Sequence, residues 1–390
     1  MNYVLFDNPE RDHLLPLVFT RPVADIRIGI LTIREKWETR LNKNTSTITQ
    51  SYLSKRFPTI VAEDNLFIDG SVLPGKDLVE EVQGLRMGET LMHRGSVIAA
   101  RMSQKADIQE MMEQNDTVES KVEVDRIHNT WDIFAGNARE IENDFELLTS
   151  GRKSAPLSET NFIRGPREMI FLEEGAHVEH AFLNVTEGPI YVGKDAEIME
   201  GAKVRGPFAL CRHAALKMDA KIYGGTTVGP HSKVGGEVQN TVFFGYSNKG
   251  HDGYLGNAVV GEWCNFGADT NNSNLKNTYD IVKVWSYPDQ RFVRTGLQFC
   301  GLIMGDHSKT GINTMFNTGT VIGVSCNLFG AGFQRNFIPS FSWGGPHGMM
   351  AFNLKKSFDV AKAVMKRRDV EFDEIDQEIL SHIYQLEQNK

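Results

Sequence analysis

Cysteine is scarce in this chain, with 4 among 390 residues, and no two of them form a CxxC pair. That spacing excludes a disulfide frame and a zinc knuckle. It leaves Cys211, Cys264, Cys300 and Cys326 as small buried apolar residues of a reducing compartment. No apolar run reaches the roughly 18 residues that a membrane helix needs, so no membrane partner is expected. The opening MNYVLFDNPERD carries charge by its seventh residue and has no apolar stretch of signal-peptide type, which predicts a cytoplasmic protein. A basic surplus is also missing: the formal net charge is -8, which argues against a nucleic-acid surface. Glycine, by contrast, is plentiful at 36 residues, as suits a chain that turns often.

What the chain does have is a period. From Val192 an aliphatic residue returns every sixth position, through Ile198, Val204, Leu210, Leu216, Ile222 and Val228 to Val234. Four positions after most of these stands a small residue (Ala196, Ala202, Ala214, Ala220, Thr226, Ser232), Phe208 being the exception. A helix would need spacings of three and four, and a half-buried strand a spacing of two. A period of six fits one short strand plus a corner. Three such units close a triangular coil with the aliphatic residues inside and the small ones at tight corners. The expected fold is a left-handed parallel β-helix over residues 156–345.

The register breaks twice. It fails between Gly235 and Gly253 and resumes, shifted, at Tyr254, Val260 and Phe266. It fails again from about 271 to 301 and returns at Met304, Thr310, Phe316, Ile322 and Leu328. Insertions in a solenoid are extruded as loops, and such loops commonly carry the binding surface. Both breaks are therefore the places to look for chemistry.

The flanks have another character. Residues 1–155 alternate strand patterns (NYVLF, NLFID, GSVIAARM) with a helical one, DIRIGILTIREKWETRL, and predict an α/β domain. The stretch from 137 reads as a helix running into a linker, and PSFSWGGPHG as a cap on the coil's end. A helical tail over 350–390 has Ile375, Ile379, Leu380, Ile383 and Leu386 on one side and is expected to pack on the coil or on another subunit.

The segment GHDGYLGNAVVGEWCNFGADTNNSN, residues 250–274, resembles the acetyltransferase half of the bifunctional UDP-N-acetylglucosamine pyrophosphorylase/glucosamine-1-phosphate acetyltransferase family. The shared pattern is His251, then Tyr254, Leu255 and Gly256, then Asn265, Gly267, Ala268 and Thr270, with Asn274 beyond and Glu237 fourteen residues before the histidine. The resemblance implies that His251 is the general base for acetyl transfer from acetyl-CoA to an amino-sugar phosphate, with Glu237 orienting it. A near-neutral imidazole suits deprotonation of an ammonium, and a carboxylate on its other nitrogen fixes the tautomer. It further implies that Tyr254, Asn265 and Asn274 hold the sugar or phosphate and that Lys221 pairs with phosphate as a point charge. Gln239 stands where the family has a lysine, and Lys276 is the substitute for another. Residues 277–301 form an insertion where the acetyl-CoA cleft would begin. Tyr254 and Asn265 also lie in the six-residue register, so a corner or coil role stays open beside a binding one. The resemblance further implies a homotrimer through the coil.

The N-terminal part resembles a reduced sugar nucleotidyltransferase domain, through LLPLVFTRPVADIRIG after the first strand. This implies Arg21 on nucleotide phosphate and Asp69 as a carboxylate for Mg2+, against a surface ion pair and a turn former respectively. The glycine-rich phosphate loop of that family is here DNPERDH, without glycine, and the motif lysine is Val23. Three functions follow: acetyl transfer with or without nucleotidyl transfer; nucleotidyl transfer from UTP or dTTP with the coil as scaffold; or a non-enzymatic sugar-nucleotide-binding or assembly protein.

Overall fold

The structure, a computed structural model, describes residues 1–103 and 115–388. They form two compact units. The first comprises Met1–Leu14, Thr20–Ile26 and Leu31–Asn129, and the second Leu15–Phe19, Arg27–Ile30 and Thr130–Lys390.

The first unit is an α/β layer around a six-stranded sheet. Its strands are β1 (Asn2–Phe6), β2 (Ser46–Ile48), β3 (Asn65–Asp69), β4 (Glu89–His93), β5 (Ser96–Met102) and β6 (Asp116–Glu119), in the order β2-β1-β3-β5-β4-β6. Strands β1, β2 and β3 run parallel, and β5 pairs antiparallel to both β3 and β4. The central strands β1 and β3 are buried almost throughout, which is why NYVLF and NLFID read as continuous apolar runs. The single long helix expected over DIRIGILTIREKWETRL is not formed. Helix Ile33–Leu41 starts only after Thr32, whose side chain and Glu35 make a reciprocal capping box. Upstream, the amides of Gly29 and Ile30 donate instead to Asn137 Oδ1 (2.7 Å) and Asp144 Oδ2 (2.8 Å), over a hundred residues away, so their backbone is not available to a helix.

The second unit is dominated by a parallel β-helix with three faces. The first face stacks Phe162–Arg164, Phe182–Asn184, Lys203–Arg205, Lys221–Ile222, Glu237–Gln239 and Tyr254–Gly256. The second face has nine strands, from Ile170–Leu172 to Phe337–Ile338, and the third runs from His177–Val178 through Asn248–Lys249. Inside, Leu183, Val204, Ile222, Val238 and Leu255 meet Val192, Leu210, Val228, Phe243 and Val260, and the four cysteines are buried and free. Each such aliphatic side chain contributes about 1.5–3 kcal/mol by leaving water.

At one corner, non-glycine residues take left-handed backbone: His213, His231, Tyr246 and Trp263 have φ between 53° and 61°. Their rings stack at centroid spacings of 4.8, 4.8 and 4.2 Å, a contact that offsets the strain of that conformation.

One position departs from the expected register. Leu255, not Tyr254, points into the coil, and Tyr254 faces outward. The six-residue steps shrink here: Val234 to Val238 is four, Val238 to Phe243 five and Leu255 to Val260 five. The coil then continues to buried Asn272, and the insertion leaves it only after that rung. The insertion forms a hairpin, Lys283–Ser286 with Arg291–Arg294, and Trp285 stacks on Phe337 of the second face at 4.4 Å. Ser342–Gly345 and Gly348–Ala351 pair antiparallel where the end cap was expected. The tail is two helices, Leu354–Lys366 and Glu374–Gln388, with Tyr384 packed edge-on against Phe341 at 5.1 Å. No helix among the described residues is long and apolar enough to cross a membrane.

Candidate functional site

The first face brings several of the expected residues into one column. Parallel pairing sets Lys221 beside Glu237 and Glu237 beside Tyr254 on successive rungs, which lie about 4.8 Å apart. All three point away from the core, because their neighbours Ile222, Val238 and Leu255 point into it. Asn274 returns over this column from the second register break. Its amide donates to the Tyr254 hydroxyl (2.8 Å) and to Asn257 Oδ1 (2.8 Å), while Tyr254 Oη donates to Gln239 Oε1 (3.1 Å). Burial raises the Tyr254 phenol, opposed by the Asn274 hydrogen bond and reinforced by the charge of Glu237, so the hydroxyl stays protonated.

Local structure fixes this group. Above Tyr254 the ladder of backbone bonds is replaced by side chains: Asn271 Oδ1 accepts from Tyr254 N (2.6 Å), and Asn272 bonds Gly256 through both its amide atoms (2.8 and 2.9 Å). Gly256 leaves room for the phenol, since a Cβ there would overlap the Tyr254 hydroxyl and come within 2.8 Å of Asn274 Nδ2. Gly253, between His251 and Tyr254, has φ +119°, which a side chain would strain.

His251 is exposed, on the corner between the third face and the first. Among the described residues no hydrogen bond or ion pair joins its side chain to Glu237. Asn265 lies one face away, bridging Asn248 and Lys309 on the third face and accepting from Asn248 Nδ2 at 3.1 Å. Lys276 donates to Ile281 O (3.1 Å) within the insertion. Gly267 and Thr270 serve the coil: a Cβ on Gly267 would collide with Gly311, and the Thr270 hydroxyl bonds Gly267 O at 2.8 Å inside. Residues that sequence reasoning gave no role are Asn257, Asn271, Asn272 and Lys249. For the last, the signal was a lysine six positions after Phe243, on an inward step of the repeat.

In the first unit, Asp69 is buried and its carboxylate is occupied. Oδ1 accepts from Ser71 N and Oγ (both 2.8 Å), and Oδ2 from Asn8 Nδ2 and Arg126 Nη2 (both 2.8 Å). Burial pushes its pKa up and Arg126 pulls it back down. With four donors on two oxygens, one of them a guanidinium, the arrangement does not fit a divalent cation as it stands. No cluster of three or more acidic, histidine or cysteine ligands occurs among the described residues. Arg21 is 6% exposed rather than open to solvent.

Residues 3–153 match the family described as sugar nucleotidyl transferase. The bifunctional protein GlmU of Methanocaldococcus jannaschii is 31% identical over 121 residues, 31% of this chain and 27% of that protein. The bifunctional sugar-1-phosphate nucleotidylyltransferase/acetyltransferase of Sulfurisphaera tokodaii is 29% identical over 145 residues, 37% of this chain and 36% of that protein. The chain thus spans about a third of the length of these relatives. Among solved structures, the Arabidopsis UDP-N-acetylglucosamine acyltransferase aligns with 55% of this chain and 77% of its own, at 11% identity and a TM-score of 0.29. AntD, an N-acyltransferase from Bacillus cereus solved with dTDP and 3-hydroxybutyryl-CoA, aligns with 54% of this chain and 91% of its own, at 10% identity and a TM-score of 0.24. Residues 3–153 are thus similar to the sugar nucleotidyl transferase family, and the chain continues into a parallel β-helix of hexapeptide repeats.

Proposed function

We propose that this chain is a sugar-phosphate transferase whose coil acetylates an amino-sugar 1-phosphate, with acetyl-CoA as donor. The observation that carries this reading is the column Lys221–Glu237–Tyr254, with Asn274 bonded to the Tyr254 hydroxyl and His251 at the adjoining corner. In the reaction, His251 takes a proton from the substrate ammonium, and the freed amine attacks the thioester carbonyl. The C–S bond breaks, the imidazolium gives its proton to the departing thiolate, and the new amide nitrogen loses its second proton to solvent. Glu237, one rung below Tyr254 on the face that the His251 corner leads into, is the carboxylate assigned to stabilise that imidazolium. Tyr254 and Asn274 hold sugar hydroxyls, and Lys221 attracts the phosphate. Asn265 faces the far side of the corner, so a substrate touching it and Tyr254 lies across His251. Lys276 joins the site if it leaves Ile281 O. The names of both curated relatives describe bifunctional proteins, and the name from Sulfurisphaera tokodaii states acetyl transfer. CoA release with glucosamine-1-phosphate tests the reading: wild type turns over and His251→Ala does not. Equal background rates in both would sink it.

Nucleotidyl transfer by the N-terminal domain is the companion proposal, supported by the family match over 3–153. Arg21 would serve nucleotide phosphate, and Mg2+ would be needed, though Asp69 is not arranged to hold it. Pyrophosphate release from UTP or dTTP with a sugar 1-phosphate decides it. Stabilisation by a sugar nucleotide without turnover would instead favour a binding protein.

We also propose that the coil self-associates as a trimer. The lower first face exposes Phe162 (65%) and Phe182 (46%), stacked at 4.9 Å, in a groove shared with Lys203, Arg205 and Tyr223. Exposed paired aromatics of this kind mark an interaction surface.

A further inference from the structure

The inside of the coil is apolar along most of its length, yet one inward position holds an ammonium. Lys249 continues the third-face column of Val178, Ile198, Leu216 and Val234, in register with Val234, and is 2% exposed. Burying a cation costs free energy that an aliphatic residue in the same column would not incur. The cost is visible: burial pulls the Lys249 ammonium down to about 8, with only Asp252 and Asp269 opposing.

The geometry gives a reason for it. Corners from the third face to the first normally span six residues, as from Ile198 to Val204 and from Leu216 to Ile222. From Val234 to Val238 the corner spans four, through Gly235 and Gly236. Lys249 Nζ donates to Gly235 O in this short corner (3.1 Å) and to His251 O in the next (2.9 Å). A Cβ on Gly236 would lie 2.9 Å from Nζ, so the glycine keeps the ammonium's seat open. The lower corner leads directly into Glu237. The upper one carries His251 and leads into Tyr254.

We infer that Lys249 is a positioning residue, an ammonium clamp inside the coil that ties the corner before Glu237 to the corner bearing His251. It touches neither substrate nor reacting atoms. The clamp itself stands on geometry alone, and only its effect on turnover rests on the acetyl-transfer reading.

The test is Lys249→Met in the full chain, read by backbone hydrogen exchange and by CoA release with glucosamine-1-phosphate. Losing two charge-assisted bonds is expected to speed exchange at 235–237 and 250–254 by about tenfold or more, with Val192–Val228 unchanged. Turnover is expected to fall about tenfold to a hundredfold in kcat, with KM for the sugar phosphate within about threefold, because misplacing a catalytic group costs rate more than binding. Should Lys249→Met not fold, Lys249→Gln retains a donor and is expected to show the same local exchange at about a third of the effect. Unchanged exchange at both corners, or equal acceleration along the whole coil, would overturn the clamp. Local acceleration with wild-type kcat would overturn its positioning role. If wild type itself releases no CoA, the exchange result alone decides the clamp and the acetyl-transfer reading falls separately.

Discussion

The first and second faces of this coil obey the same inward rule and differ entirely in what they turn outward. On the second face the outward residues Tyr191, Ala209, Thr227 and Phe244 are all buried. Helix Thr130–Thr149 packs across its middle strands, the segment Arg27–Ile30 is hydrogen-bonded to Thr227 and Phe244, and the insertion hairpin covers Phe337. On the first face the outward residues are Phe182, Lys203 and Lys221, all exposed, and Glu237 and Tyr254, both half-buried. Inward side chains make the coil; outward ones decide whether a face is covered or left open.

Substitutions on the two faces should therefore separate activity from stability. The largest effect is expected from His251→Ala, which should lower the rate of CoA release by about a hundredfold or more while leaving the thermal midpoint unchanged. On the second face the opposite is expected. Phe243, fully buried, should cost about 3–5 kcal/mol on replacement by alanine, read by denaturant unfolding, and lower activity only through the folded fraction. Gly256→Ala sharpens the contrast. Its Cβ would displace the Tyr254 phenol, so kcat/KM should drop about tenfold with a small change in midpoint. A smaller effect tests the open lower rungs: Phe182→Glu should convert oligomer to monomer by light scattering while the far-ultraviolet spectrum stays the same.

The smallest expected effect is one of pH. Burial pulls Lys309 down to about 8 from 10.5, so above pH 8 the folded chain has released a proton that the unfolded chain still holds. Stability contributed by this group therefore rises between pH 8 and 9, by up to about 1 kcal/mol. Above pH 9 the buried thiols act in the other direction, because Cys264, Cys300 and Cys326 are pushed up to about 12 and stay protonated only when folded. Comparing the unfolding midpoints of wild type and Lys309→Met at pH 8 and pH 9 checks the sign. Lys249, pulled down to about 8 as well, keeps its own share in the variant, so the variant's change from pH 8 to pH 9 should be less favourable than that of wild type by the Lys309 share.

Much of this contrast was readable from the chain, and its gaps have physical causes. The six-residue period gave the coil, and the 18-residue recurrence of outward residues separates an apolar series from a charged one. The column of Lys221, Glu237 and Tyr254 does not follow from that count, because its steps are 16 and 17 residues, and only the strand pairing shows it. The inward place given to Tyr254 failed because three corners shorten by one or two residues, and corner length is set by glycines and hydrogen bonds rather than by apolar periodicity. Lys249 went unread because a lysine in a core column makes sense only when the carbonyls it satisfies are seen. The helix expected from Asp25 failed for a similar reason: the partners of Gly29 and Ile30, Asn137 and Asp144, are remote in sequence. Asp69 looked like a free turn carboxylate until Asn8, Ser71 and Arg126 closed around it.

The central claim is that the open first face is a reaction surface. It is tested most directly by the initial rate of CoA release from acetyl-CoA and glucosamine-1-phosphate in wild type and in Glu237→Gln, a substitution that removes charge from that face and leaves the core intact. A reaction surface predicts measurable wild-type turnover and a loss of about tenfold to a hundredfold in the variant, with the same unfolding midpoint. A wild-type rate that Glu237→Gln reproduces in full would contradict it.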